Sequence, residues 1–261
     1  MLPSENSPGE RGGPRTRPDD IQDYYRDPSV VQRYMTRRTG QPMNGMVHAR
    51  QVAFVDAVIR QRAPRRLLEV ACGPARLTAE ITFAGTGVAF DGSAQMLAVA
   101  RDRLRDRGAT WLPLRGDAFA LPVADASVDL ALSTRFIRRF HLDERRRLYA
   151  EIRRTLTPGG GLIIDAQNRA VSLPHRQSKG LDSYPVFDQL YDRQELIGEL
   201  AAAGFRVVQL EGILRHFAIQ SRLNRLRRVG LARLARGLID LVERVPGEQA
   251  STWMVLAEVA R

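Results

Sequence analysis

The sequence predicts an α/β domain, a mostly parallel sheet of seven strands covered by helices on both faces. Three observations carry that expectation. Short apolar runs of strand length alternate with longer amphipathic stretches from about residue 47 onward. Several runs end in glycine or a carboxylate, at Gly73, Asp91 and Gly116-Asp117. The chain has 261 residues, 44% apolar, and a chain of that size buries roughly 70–75% of its unfolded surface without a metal or disulfide.

The elements follow in order. Residues 1–18 are rich in Pro, Gly and Arg without periodicity and read as a disordered tail. Residues 19–46 carry Tyr24, Tyr25, Tyr34, Met35 and Met43 among charges, as short helices packed on the body would. Val52, Val55, Val58 and Ile59 lie at helical spacing within Val47–Arg60, and Pro64 stops that helix. Arg66–Ala71 is a buried-strand run ending in Cys72-Gly73-Pro74, followed by a helix from about Leu77 to Phe83. Val88–Phe90 is a second strand ending in Asp91, and Ser93–Arg107 a second helix. Trp111–Leu114 and Val128–Ser133 are strands, and Asp143–Leu156 is a helix with Leu148, Ile152 and Leu156 on one face. Gly161–Asp165 is the fifth strand, preceded by a turn at Pro158-Gly159-Gly160; Arg193–Ala203 is a helix closed by Gly204. Arg206–Leu210 and Trp253–Val259 complete the strands, with a basic amphipathic stretch, Ile219–Val245, between them. No internal repeat is visible.

Composition excludes several classes. The apolar content and 26% charge exclude a disordered or collagen-like chain, and the single Cys72 excludes an intrachain disulfide and a multi-cysteine metal site. No apolar run approaches about 18 residues and the N-terminus lacks a signal-peptide core, so a soluble cytoplasmic protein is expected. The net charge of +11 invites a nucleic-acid reading. However, Lys179 is the only lysine, and arginine is spread evenly along the chain. So uniform a bias fits genomic base composition better than a selected phosphate-binding patch, and nucleic acid is disfavoured as a partner.

In an open parallel sheet ligands bind beyond the carboxyl ends of the strands. Gly73 there permits a tight turn, with the carboxylate of Glu69 just before it in an apolar strand. The stretch Ala71-Cys72-Gly73-Pro74-Ala75-Arg76 lacks two glycines of a dinucleotide fingerprint, so a ligand without phosphates fits better. Asp91, 18 residues after Gly73, can accept hydrogen bonds from ribose hydroxyls or cap the next helix, a role Ser93 also suits. Asp117 is either an acceptor for an adenine amine, with Phe119 packed nearby, or a turn residue.

Four stretches, 67–78, 88–101, 116–132 and 148–166, resemble the class I, Rossmann-like S-adenosylmethionine-dependent methyltransferases of small molecules. The resemblance implies a doubly wound sheet with an antiparallel last strand, an N-terminal helical lid over 19–46, and a cofactor domain over 47–261. Residues 167–190 and 215–245 are then insertions serving as acceptor cover, lid or interface, with His175–Val186 reading as a loop over the acceptor. It further implies that Glu69, Ala71 and Gly73 meet the cofactor's amino-acid moiety and Asp91, beside Gly92, its ribose. Met96, Asp117, Ala118 and Phe119 would surround the adenine, Ser133 would stand beside the methyl group, and Tyr25 would close over the cofactor. Ala71 and Ala75 depart from the family, which usually has glycine there; alanine suits an ordinary backbone dihedral only. The implied cofactor is S-adenosylmethionine, leaving as S-adenosylhomocysteine, with no metal.

The implied reaction is an in-line displacement onto a small-molecule acceptor, with oxygen expected to take the methyl. His141 is the candidate general base, or else a cap for the helix beginning near Asp143; His48 and His175 are weaker candidates. Arg135, Arg138 and Arg139 crowd one loop and can hold an anionic acceptor, with Asn168 and Tyr34 as further acceptor contacts. Cys72 reads as a packing residue. In 219–245, six arginines (222, 225, 227, 228, 233, 236) face an apolar side that either packs on the body, pairs two copies in a homodimer, or lies on an anionic membrane. Two other functions share the fold: a nucleic-acid-binding or -modifying protein, and a different S-adenosylmethionine or nucleotide enzyme. Against the former, Ser133-Thr134-Arg135-Phe136 lacks the Asn/Asp-Pro-Pro-aromatic motif of base-amine methyltransferases.

Overall fold

The structure is a computed structural model, which describes residues 24, 25, 27, 30, 34, 40–105, 110–180, 184, 186–247 and 249–260. The tail expected over 1–18 and most of the segment 19–46 lie outside these residues.

Among the described residues the elements run α1 (Pro42–Arg62), β1 (Arg66–Val70), β2 (Thr86–Asp91), α2 (Ala94–Leu104), β3 (Thr110–Arg115) and β4 (Val128–Ser133). A 3₁₀ turn (Ile137–Arg139) leads to α3 (Leu142–Thr155), β5 (Leu156–Asn168), α4 (Arg169–Lys179), β6 (Leu190–Tyr191) and α5 (Arg193–Ala202). The chain ends with β7 (Phe205–Arg215), α6 (Phe217–Leu223), a second 3₁₀ turn (Asn224–Val229), α7 (Ala232–Arg244) and β8 (Ala250–Val259). The strands form one sheet in the order β3-β2-β1-β4-β5-β8-β7, with β6 paired to the overhanging end of β5. All pairings are parallel except those of β8 with β5 and β7. Strand order reverses between β1 and β4, which opens the crevice where a doubly wound sheet takes its ligand.

Strand periodicity sorts the core onto two faces. Leu68, Val70 and Ala131 pack under α3 and α5 with Leu148, Tyr149, Ile152 and Leu196. Leu67, Leu130 and Leu132 pack on the other face with Val55, Val58 and Ile59 of α1 and Ile239 of α7. α1 carries Pro42 in its first turn and ends at Ala63 in the left-handed region, just before Pro64. No described helix is long and apolar enough to cross a membrane.

Four expectations need correcting. The sheet has eight strands, because two-residue β6 pairs with Gln167 and Asn168 of β5; so short a strand has no readable alternation. Leu77–Phe83 is a run of turns, not a helix. Ala71, Gly73 and Ala75 all have positive φ (59°, 57° and 54°), which keeps the chain from entering a helix, and Asp56 of α1 captures the Thr82 amide at 2.6 Å. Pro158-Gly159-Gly160 lies within β5, where the register to β4 shifts between Val128 and Leu130, so it bulges out of the strand instead of preceding it. The loop read from His175 begins inside α4, a helix that holds Pro174 despite the lost backbone donor.

Candidate active site

Two cavities of about 460 Å³ each open at the carboxyl ends of the strands. The first is built by the turns after β1, β2 and β3. Its lining includes Ala71 and Gly73 from the first turn, and Asp91 and Gly92 from the second. Met96 of α2, then Asp117, Ala118 and Phe119 after β3, and Tyr25 from the N-terminal segment also line it. Asp91 accepts the Gly73 amide on Oδ2 and the Ser93 amide on Oδ1, each at 2.8 Å. Burial pushes its carboxyl up, while those amides pull it back. Ser93 is the N-cap of α2, its Oγ accepting the Met96 amide at 3.3 Å, so the capping role is filled without the Asp91 carboxylate, which lines the cavity. Asp117 accepts the Phe119 amide at 2.9 Å in a local turn, and so places the Phe119 ring. A Cβ added to Gly73 would meet no atom within 4 Å, so the turn stands open toward this space.

Two expected cofactor residues are absent from the lining. Glu69 and Ser133 are buried near the ends of the neighbouring strands β1 and β4. Among the described residues Glu69 Oε2 and Ser133 Oγ have no hydrogen-bond partner. Burial pushes the Glu69 carboxyl up to about 8, against the opposing pull of Arg76 and the Thr78 amide.

The second cavity lies beyond β4 and β5. Tyr34, Arg135, Arg138 and Arg139, the residues read as acceptor contacts, line it together with Gln167, His175, Arg176, Tyr184 and Asp188. Tyr25, Tyr34 and Arg135 line both cavities, so the two meet there. The Tyr25 and Tyr34 rings pack edge to face, 6.5 Å between centroids.

The arginines are placed otherwise than as free anion holders. Arg138 is buried, paired to Asp188 and, through Nε at 3.4 Å, to Asp165. Arg139 reaches Asp188 at 3.5 Å, and Arg176 pairs with the same carboxylate while donating to Gln167 Oε1 at 2.6 Å. Burial alone would raise the Asp188 carboxyl; the guanidiniums of Arg138, Arg139 and Arg176 outweigh it and hold it at about 2. Asp165 also accepts the Arg135 amide at 2.5 Å, where Arg135 has φ 60°.

The remaining candidates separate. His141 is exposed at the N-cap of α3, its ring 4.4 Å from that of Phe187, and lines neither cavity. His48 is held between Arg76 and Glu80, at 2.5 and 2.8 Å, away from both. His175 lines the second cavity, edge to face with Phe217, and burial together with Lys179 and Arg176 lowers its pKa. Asn168 caps α4, accepting the Ala170 amide and donating to the Ala250 carbonyl, each at 3.0 Å, and lines neither cavity. Sequence reasoning missed Asp188, Tyr184, Phe136 and Phe140. Only the last two carried a signal: aromatic residues spaced like one helical turn in Phe136-Ile-Arg-Arg-Phe140, whose rings meet at 5.0 Å and line the first cavity.

Residues 67–160 match the family described as a methyltransferase domain. A demethylmenaquinone methyltransferase of Thermus thermophilus is 35% identical over 107 residues, 40% of this chain and 48% of that protein. A ubiquinone/menaquinone biosynthesis C-methyltransferase of Burkholderia mallei is 29% identical over 155 residues, 58% of this chain and 63% of that one. The alignment thus spans about half the length of the first relative and under two thirds of the second. Magnesium protoporphyrin IX methyltransferase of Synechocystis PCC 6803, solved with bound S-adenosylhomocysteine, shares the fold at a TM-score of 0.65. It is 12% identical, over 94% of this chain and 100% of that one. The chain carries a class I methyltransferase domain.

The donor set of this methyltransferase domain fits S-adenosylmethionine. The Asp91 carboxylate is of the kind that accepts from a ribose diol and that of Asp117 of the kind that accepts from an exocyclic amine, and Met96 and Phe119 give the same cavity an apolar wall suited to an adenine ring. The orphaned Glu69 oxygen suits the cation of an α-amino group. Among the described residues, no three His, Cys, Asp or Glu side chains gather as metal ligands would.

Proposed function

We propose that the domain binds S-adenosylmethionine in the first cavity and passes its methyl group to an oxygen of a small molecule held in the second. The supporting observation is the shared wall: Tyr25, Tyr34 and Arg135 border both spaces. An acceptor atom and a methyl donor in adjoining cavities are held for in-line attack away from bulk water. S-adenosylmethionine, when bound, supplies a methyl activated by the sulfonium charge. Asp91 and Gly73 hold the ribose end and Asp117 and Phe119 the base, while the amino-acid end reaches past the lining toward the orphaned Glu69 Oε2 and Ser133 Oγ buried behind it.

His175, not His141, takes the acceptor proton in this reading. Its lowered pKa keeps the imidazole neutral near pH 7, so it accepts a proton from a hydroxyl in the second cavity. Tyr25 and Tyr34 close the place where the two cavities meet, since both rings line both spaces. The C-methyltransferase relative favours a second reading, in which a ring carbon beside the ionised oxygen takes the methyl and then gives up its own hydrogen as a proton to the oxygen, restoring the ring. Magnetic resonance of the product separates the two by the methyl carbon shift.

Titration calorimetry tests the cofactor. The wild-type protein binds S-adenosylmethionine and S-adenosylhomocysteine, and Asp91→Ala weakens both by about 100-fold, the loss of two hydrogen bonds to a charged acceptor. Absence of binding by the wild-type chain, or an unchanged constant in the variant, overturns the assignment.

A further inference from the structure

The segment from Phe217 to Val245 presents apolar surface that the body does not cover. α7 is clamped in one rotation: Glu243 is buried, and its carboxylate accepts the Leu214 and Arg215 amides at 2.9 Å each and Gln220 Nε2 at 2.6 Å. Ala235 and Ile239 point inward with it. Leu231, Leu234, Leu238, Leu241 and Val245 follow one another at alternating steps of three and four, so they form a second stripe beside the buried one. Leu234 is 53% exposed and Leu241 60%, and among the described residues nothing packs over them. The exposed Arg233 and Arg244 of α7 flank this stripe on one side, and the exposed Arg227 and Arg228 stand in the 3₁₀ turn that leads into it. Glu243 is taken up by backbone amides, which leaves Asp240 as the acid of α7 outside that clamp.

We propose that this face docks the protein on an anionic lipid bilayer, with the leucines entering the acyl boundary and the arginines at the headgroup phosphates. Charge chooses this occupant over a second copy of the chain. Two such faces brought together oppose arginine to arginine, whereas anionic lipid satisfies the guanidiniums and the leucines at once. The placement also suits the site. A groove of about 690 Å³ between α4 and α6 is lined by Pro174, Phe217, Ile219 and Arg222, and it shares His175 and Phe217 with the second cavity. Docking on the α6–α7 side sets that groove beside the lipid. Only this last point rests on the acceptor cavity of the proposed function; the docking stands without it.

Co-sedimentation of the full chain with vesicles tests the proposal without reading methyl transfer. Binding is expected to vesicles containing phosphatidylglycerol and not to phosphatidylcholine alone, and to weaken with added salt. The paired substitution Leu234→Gln/Leu241→Gln is expected to reduce binding by about tenfold or more. Arg227→Gln/Arg228→Gln is expected to cost about tenfold or more as well, from the loss of two headgroup contacts. All these side chains are exposed, so the variants keep the wild-type thermal transition. Equal binding to both vesicle types, or none, overturns the proposal. So does a stable wild-type dimer in sedimentation equilibrium that Leu234→Gln/Leu241→Gln dissociates while vesicle binding is absent, since the stripe would then be a self-interface.

Discussion

The two cavities are built by different means. The first is made of backbone turns closed by nearby residues: Asp91 with Ser93, Asp117 with Phe119, and Gly73 with Asp91 across the β1–β2 connection. The second is made of long-range charge pairing. Asp188 gathers Arg138 and Arg139 from the 3₁₀ turn and Arg176 from α4, and Asp165 joins from β5. A turn-built wall tolerates replacement of one side chain with local effect. A wall made of buried ions does not, because each charge relies on its partners against desolvation.

The largest test of that contrast is Asp188→Ala. Removing the one carboxylate leaves three guanidiniums with Asp165 alone, and the fold is expected to lose about 3–5 kcal/mol in denaturant unfolding. The pH dependence carries the same sign. The folded Asp188 carboxyl titrates at about 2 against 3.8 when free, so its stabilisation is complete above the free value and is lost as pH falls from about 4 toward 2. The variant lacks that acid-labile component. A loss below about 1 kcal/mol, the level of an exposed pair, removes the distinction between the two walls. It follows that Arg138→Ala and Arg139→Ala act mainly on stability, and not mainly on acceptor KM as an anion-holding role predicts.

The same contrast explains what could be read from the chain. The cofactor-side turns were legible because glycine, aspartate and N-cap serine have local conformational reasons to stand where they do. The alternation of elements was legible because burial on both faces leaves apolar runs in β1, β4 and β5. Asp188 was not legible: it lies between α4 and β6 outside any helix or strand, and its partners are 12 to 50 residues away. His141 was singled out because its loop follows β4, but it stands exposed at the N-cap position of α3, while His175 was hidden in a helix that Pro174 argued against.

Next in size is His175→Gln. If the acceptor-side wall holds the base, kcat falls on the order of 100-fold with KM little changed, and His141→Gln stays near wild type. Equal losses in both variants place the base outside the second cavity. A smaller effect probes the cofactor side. Glu69 titrates at about 8 in the fold against 4.5 when free, so its contribution to stability is complete below pH 4.5 and is lost as pH rises through 8. At neutral pH it therefore carries a proton, which an arriving ammonium expels at a cost on the order of 1 kcal/mol. Binding enthalpies measured in two buffers of different ionisation heat should report release of nearly one proton, and Glu69→Gln should abolish it. Identical proton counts in the two proteins leave Glu69 without contact to the amino-acid end.

The smallest effect concerns the turn itself. Ala71 sits at φ 59° on the rim of the first cavity, partly exposed, in a conformation that L-residues adopt at a penalty and glycine does not. The penalty is partly offset, because alanine loses less backbone entropy on folding than glycine does. Ala71→Gly is therefore expected to stabilise the protein by about 0.5 kcal/mol, read as a small rise in the denaturation midpoint at constant slope. Ala75, equally left-handed but fully buried, gains less on the same change, since its methyl group is packed and leaves a void. A destabilised Ala71→Gly variant would mean that the turn relaxes out of the left-handed region, and the first cavity would then owe its shape to Asp91 and Ser93 alone.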